Sequence, residues 1–226
     1  MLTAIEVNGT FYRSQTPATF AKWRASVPDG FVFALKAPRF AVNRKVLAEG
    51  AESIERFMAS GITELGDTLG PILWQLAATK RFEPDDFAAF LDLMPPEVEG
   101  LPLRHAVEVR HETFLDPEAV AIAKKRGIAI VRAMDSQYPE VADLTADFAY
   151  LRLMGTEEGE SEGYGAAALD AHAAGLKALA KGGTPEGSTL LAKPAAKKAR
   201  DVYCFVIAGH KAANPAAAQA LIARVA

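Results

Sequence analysis

Ala4-Ile5-Glu6-Val7-Asn8-Gly9-Thr10-Phe11-Tyr12-Arg13 reads as a strand, a turn and a polar loop, ahead of a helix that begins near Pro17. Ile5 and Val7 share one parity, and Glu6 and Asn8 share the other. Alternate side chains of a strand point to opposite faces. This strand therefore sets an acid and an amide on one face and aliphatics on the other. A carboxylate on the inner face of a sheet is costly unless it is paired or used. The layout recurs in later strands, and it directs both the fold assignment and the search for function.

Working outward, strand patterns fall near 3–8, 31–37, 71–76, 104–109, 128–134, 148–154 and 201–207. Helix patterns fall near 17–26, 48–64, 84–93, 116–126, 166–181 and 214–225. Asp116 reads as an N-cap with Pro117 in the first turn, and Gly127 as the stop. Pro84-Asp85-Asp86 and Asn214-Pro215 open helices in the same manner. The run 182–200, rich in Gly, Pro, Ala and Lys, reads as a long surface connection.

Strand–helix alternation predicts an α/β fold, a mostly parallel sheet covered by helices, in one domain over 1–226. Seven strand–helix units are one short of an eight-fold barrel. The chain opens almost directly on a strand, so the expectation is a TIM-type (β/α) barrel lacking its first strand. An open doubly wound sheet is the alternative. It is disfavoured because no Gly-rich nucleotide loop follows the first strand.

Parity applied strand by strand gives a polar inner face. Lys36 shares a parity with Val32 and Ala34, Gln75 with Leu73, Glu108 and Arg110 with Ala106, Asp135 with Ala133, and Arg152 with Tyr150. Each polar residue lies at or near the C-terminal end of its strand, where barrel enzymes build their sites. The set is Glu6, Asn8, Lys36, Gln75, Glu108, Arg110, Asp135 and Arg152, with His111 at the rim and Tyr12 in the first loop. A mutual salt-bridge network is one reading. A ligand site is the other, and it is favoured by the number of strands involved.

Such a set permits acid–base chemistry. Glu6 and Glu108 would be the proton-transfer pair if their environments separate them. Lys36, Arg110 and Arg152 would hold a carboxylate or phosphate, and a Schiff base on Lys36 is a minor alternative. Metal binding has little support: His105, His111, His172 and His210 form no His-x-x-x-His or His-Glu-x-x-His pattern. A mixed Glu/His site for Mg or Mn is a lesser option, and the sequence leaves any cofactor unknown. His172 reads as a surface residue on a helix, Trp74 as packed beneath helices, and Cys204 as a small buried hydrophobe. The stretch Glu157–Gly165 reads as a loop or a lid.

Net charge is −3, which gives no electrostatic case for nucleic acid. A basic rim of Arg13, Arg39, Arg44 and Lys45 would be the exception. No apolar stretch is long enough to span a membrane, and no signal peptide is evident, so a cytoplasmic location is expected. Oligomeric state is not readable.

Five ordered motifs resemble one family. They are Glu6-Val7-Asn8-Gly9-Thr10-Phe11-Tyr12-Arg13, Phe33-Ala34-Leu35-Lys36-Ala37-Pro38-Arg39, Leu69-Gly70-Pro71-Ile72-Leu73-Trp74-Gln75-Leu76, Glu108-Val109-Arg110-His111-Glu112-Thr113-Phe114 and Ala146-Asp147-Phe148-Ala149-Tyr150-Leu151-Arg152-Leu153-Met154-Gly155. Together they resemble the YecE-like family (domain of unknown function 72), with Met154 where that pattern has His. The resemblance implies a TIM-type barrel and a missing N-terminal segment that carries the first strand. It implies no reaction.

The functional expectation is an enzyme of isomerase, lyase or hydrolase type. Its substrate would be a small anionic or polyhydroxylated molecule at the C-terminal mouth. The alternative is a non-catalytic metabolite- or nucleic-acid-binding protein that uses the same mouth.

Overall fold

The alternation of Ile5 and Val7 with Glu6 becomes β1 (Ala4–Val7), which pairs in parallel with β2 (Val32–Lys36) in the computed structural model, which describes residues 1–226. The chain divides into two compact units, Thr3–His111, and Glu112–Ala226 with Met1–Leu2.

In the N-terminal unit, a single turn α1 (Gly9–Tyr12) and then α2 (Pro17–Ala25) separate β1 from β2. The Thr16 side chain caps α2 by accepting from Thr19 N at 3.3 Å. After β2 come α3 (Arg39–Val42), α4 (Ala51–Met58) and β3 (Leu69–Gln75). The helix expected over 48–64 is only α4, flanked by 3-10 turns at Leu47–Gly50 and Ile62–Thr68. Gly61, at φ 90°, reverses the chain where the pattern had run on. Then follow α5 (Pro84–Asp92), a small antiparallel hairpin of β4 (Glu97–Val98) and β5 (Leu101–Pro102), and β6 (His105–Glu108).

All pairings of β1, β2, β3 and β6, in that order, are parallel. Trp74 is fully buried against Phe57 and Phe90, its ring centroids 6.4 and 5.9 Å from theirs, as its outward parity predicts. Phe20, Trp23 and Phe33 form a second aromatic group, Trp23 lying 5.4 Å from Phe20 and 6.0 Å from Phe33. Ile5 remains 48% exposed, so the aliphatic side of β1 lacks the cover that its parity implied.

In the C-terminal unit, α6 (Pro117–Lys125) begins with Asp116 accepting from Glu118 N at 2.7 Å. The strand expected over 128–134 is broken into β7 (Ala129–Ile130) and β8 (Arg132–Met134). At the break, the Thr145 hydroxyl takes the Ile130 N–H at 2.9 Å and donates to Ile128 O at 2.7 Å, standing in for strand partners. Parallel strands β8, β9 (Phe148–Leu153) and β10 (Asp201–Val206) form a second sheet. It is packed by α7 (Ala166–Ala180) and α8 (Asn214–Val225) through Leu153, Tyr164, Leu169, Ala217 and Leu221. The connection 182–200 has no regular element but is pinned: the Asp143 carboxylate accepts from Leu191 N at 2.9 Å and Ala192 N at 3.0 Å.

The fold is therefore α/β with parallel strands and flanking helices. Neither unit's sheet closes on itself into a barrel. No helix is long and apolar enough to cross a membrane.

Candidate functional site

Strand register decides which polar side chains of the N-terminal unit meet. Glu6 lies opposite Ala34, Lys36 opposite Leu73, Leu73 opposite Ala106, and Gln75 opposite Glu108. Each of these residues shares the parity assigned from the sequence, so they occupy one face. The polar residue climbs two positions from Ala34 to Lys36 and again from Leu73 to Gln75. Strand spacing and rise then put Cα atoms of Glu6 and Lys36, and of Lys36 and Gln75, about 8 Å apart. Long side chains reach across that distance. Ala34, Leu73 and Ala106, all fully buried, form the floor beneath.

Glu108 is fully buried, while Glu6, Lys36 and Gln75 are each less than a tenth exposed. The Gln75 amide donates to Glu108 Oε2 at 2.5 Å. The Arg110 guanidinium donates to Glu108 Oε1 from Nε and Nη2, both at 3.2 Å, and reaches Oε2 at 3.4 Å. Glu108 and Arg110 meet because they are two apart at a strand end, on the same side. The Lys36 ammonium lies over the Phe11 ring, 4.3 Å from its centroid. The Thr10 hydroxyl lies 2.7 Å from Lys36 O and 3.1 Å from Val7 O, and so ties α1 to the ends of β1 and β2.

Sequence reasoning missed Thr10 and Phe11, because the segment 9–12 read as a loop. A helical turn brings both to Lys36. Asn8 is exposed beyond the end of β1, at φ −82° and ψ −15°, where strand alternation has stopped. Tyr12 is 65% exposed with its ring edge on Phe11, and His111 is half-buried just past Arg110.

Asp135 and Arg152 belong to the C-terminal unit. Arg152 is buried in β9, in register between Ala133 and Phe205. Asp135 follows β8 in a left-handed conformation, φ 53°. It accepts from His172 Nε2 at 3.1 Å and from the Tyr164 hydroxyl at 3.1 Å, and Gly155 N donates to that hydroxyl at 2.9 Å. A Cβ on Gly155 would lie 2.6 Å from Asp135 Cβ, so the approach requires glycine there. The His172 hydrogen bond and charge, with help from Tyr164, hold the Asp135 carboxyl below its ordinary range against the opposing effect of burial. Burial, with Asp135 alongside, pushes the Tyr164 phenol up. His172 is thus no surface residue: its side chain is 10% exposed and engaged. Its helical spacing gave no hint of Asp135, 37 positions earlier (172 − 135).

No three His, Cys, Asp or Glu side chains converge as a metal site would require.

The chain belongs to the DUF72 family, whose model, described as "Protein of unknown function DUF72", matches residues 1–226. A DUF72 family protein from Enterococcus faecalis V583 has a similar structure, with TM-score 0.70 at 13% identity over 97% of this chain and 88% of that one. A DUF72 family protein from Thermotoga maritima MSB8 superposes with TM-score 0.67 at 19% identity, over 98% of this chain and 85% of its own. At these identities the likeness shows the fold alone. No curated protein matches the chain.

Proposed function

We propose that this DUF72 family member is an enzyme that performs acid–base chemistry on a small polyhydroxylated or anionic molecule. The reaction would be an isomerisation, an elimination or a hydrolysis at the C-terminal ends of β1, β2, β3 and β6. The observation that carries the reading is Glu108: a fully buried carboxylate held by Gln75 and Arg110. It sits on a face that also carries Glu6 and Lys36. Burying this many ionisable groups on one face costs stability that an apolar face would not, and function is the usual reason to keep them.

In this proposal Glu108 moves the proton, held in place by Gln75 and Arg110. Glu6 serves as its partner, and Lys36, fixed over Phe11, orients a substrate oxygen. The (β/α) barrel reading belongs with the proposal. It is supported by the parallel pairing within each sheet and by the placement of polar residues at strand ends.

The test screens the purified protein for thermal stabilisation by sugars, sugar acids and organic acids, then assays turnover of any hit. Glu108→Gln should keep the fold and abolish turnover. If Glu108→Gln and Arg110→Ala leave both binding and turnover unchanged, the proposal fails.

One observation favours a second reading, a non-catalytic metabolite binder. Both Glu108 oxygens already accept hydrogen bonds, which suits an anchor as well as a proton shuttle. That reading predicts saturable binding without chemical change in the ligand.

A further inference from the structure

The loops that follow β2 and β3 enclose an open groove of about 580 Å³, within the size range of small-ligand sites. Arg44, Lys45, Lys80 and Arg81 line it, against one lining carboxylate, Glu83. Asn43 and Thr79 add neutral polar groups to the wall. All of these residues belong to the N-terminal unit.

The walls are built, not merely adjacent. Lys80 Nζ donates to Lys45 O at 2.8 Å and to Asp86 Oδ2 at 2.5 Å, so one side chain stitches the β3 loop to the β2 loop. Asp86 also accepts from Leu47 N and Ala48 N, each at 3.1 Å. Arg44 donates to Phe40 O at 2.7 Å and to Ser53 Oγ at 3.2 Å. Lys80 is therefore neutralised by Asp86, and the Arg44 donors are partly used. The Lys45 and Arg81 side chains make no hydrogen bond or ion pair and are exposed. They are two exposed cations, one on each of the two loops that line the groove, where Glu83 is the one lining carboxylate.

The groove begins just past the strand end that carries Gln75. Its lining residue Ala77 is two positions past Gln75, which is at most about 7 Å of chain. On the polar face, Glu6 and Glu108 balance Lys36 and Arg110, so that face carries no charge excess to recognise an anion. The groove supplies one.

We infer that this groove seats the phosphate of a phosphorylated polyol, whose hydroxyl-bearing end then reaches Lys36, Gln75 and Glu108. The inference rests on the reading above for the second half and stands alone for the first. Lys45 and Arg81 are the phosphate-binding side chains, with the Asn43 amide and Thr79 hydroxyl as further donors. A polynucleotide is disfavoured. Two uncommitted cations fall well short of the roughly 6–10 phosphate contacts that carry salt-dependent nucleic-acid binding, and the chain's net charge is −3.

The experiment is calorimetric titration of the full chain at low ionic strength, with inorganic phosphate, with glucose and glucose 6-phosphate, and with a short single-stranded DNA. Phosphate and glucose 6-phosphate should bind, with glucose weaker than its phosphate. Lys45→Ala/Arg81→Ala should weaken both phosphorylated probes by about tenfold or more without altering the melting temperature. Lys45→Glu/Arg81→Glu should abolish their binding. Glu108→Gln should leave inorganic phosphate binding unchanged, which separates failure of the groove from failure of the catalytic reading. Unchanged phosphate affinity in both double variants, or no phosphate binding to the parent chain, overturns the inference. So does DNA that binds more tightly than glucose 6-phosphate and is lost in the same variants.

Discussion

His105 offers a sharp test of how this sheet is held. It opens β6, on the face opposite Glu108, and is 5% exposed. Trp74 Nε1 donates to His105 Nδ1 at 3.1 Å, and Nε2 lies 2.8 Å from Pro95 O. An indole N–H can only donate. Nδ1 must therefore accept, and Nε2 carries the single ring proton and donates to Pro95. A second proton would have to sit on Nδ1, facing a donor. Burial lowers the ring from 6.5 to about 4, the Pro95 carbonyl opposing only in part. The unfolded chain thus takes up a proton below about 6.5 while the folded chain stays neutral until about 4. Stability from this group is full above the unfolded value, falls as pH drops through it, and levels off below the folded value. The whole difference amounts to about 3 kcal/mol, of which about 2 kcal/mol is lost between pH 7 and pH 5. Urea unfolding followed by far-ultraviolet circular dichroism, at both pH values, should show this loss in the parent chain. His105→Gln should show about 2 kcal/mol less pH dependence, whatever its absolute stability. Equal pH dependence in the two proteins would refute the tautomer and burial argument.

Asp86 should lose its contribution in the same direction, but in a lower pH window. Burial pushes its carboxyl up, but Lys80 and the Leu47 and Ala48 N–H groups together outweigh burial and hold it below 3.8. Its contribution is present above that value and disappears as pH falls through the depressed one. Asp86→Asn should cost about 1.5–3 kcal/mol at neutral pH and flatten the acid limb, as read by urea unfolding; an unchanged acid limb would count against the assignment. Gly182 sits at φ 76°, and a Cβ there would lie 2.0 Å from Lys198 O. Gly182→Ala should cost at least about 2 kcal/mol, or roughly 4–8 °C in melting temperature; a change under about 1 °C would show that the 182–200 connection yields freely.

What could be read from the sequence was whatever depends on period-two alternation. Glu6, Lys36, Gln75 and Glu108 were placed on one face by parity, and the register sets Glu6 beside Ala34, Lys36 beside Leu73 and Gln75 beside Glu108. Asn8 departs from that face because β1 stops at Val7 and the backbone turns into α1. Alternation cannot report its own end when the following turn lacks a proline. The groove was not legible for a different reason. Arg44 and Lys45 were visible only as rim charges, and what makes them a wall is Asp86, 39 residues beyond Leu47 in sequence. The Asp135–Tyr164–His172 cluster was half-visible: strand parity flagged Asp135, while His172 had only a helical position and Tyr164 lay in a stretch read as a loop. Side chains that act through long-range capping leave no local pattern.

The two faces of β3 and β6 explain why the outer lock bears on function. Trp74 and Gln75 are neighbours in sequence with opposite orientations, and so are Val107 and Glu108. The Trp74–His105 hydrogen bond holds the outer side of this strand pair, and the Gln75–Glu108 hydrogen bond sits on the other side of it. A slip of one residue would turn Glu108 out of the polar face and an apolar residue into it. Glu108 is fully buried, so such a slip would leave a carboxylate without its amide and guanidinium partners. That is far costlier than losing either hydrogen bond in place. The buried polar pair and the buried Trp–His pair therefore specify the same register from opposite sides.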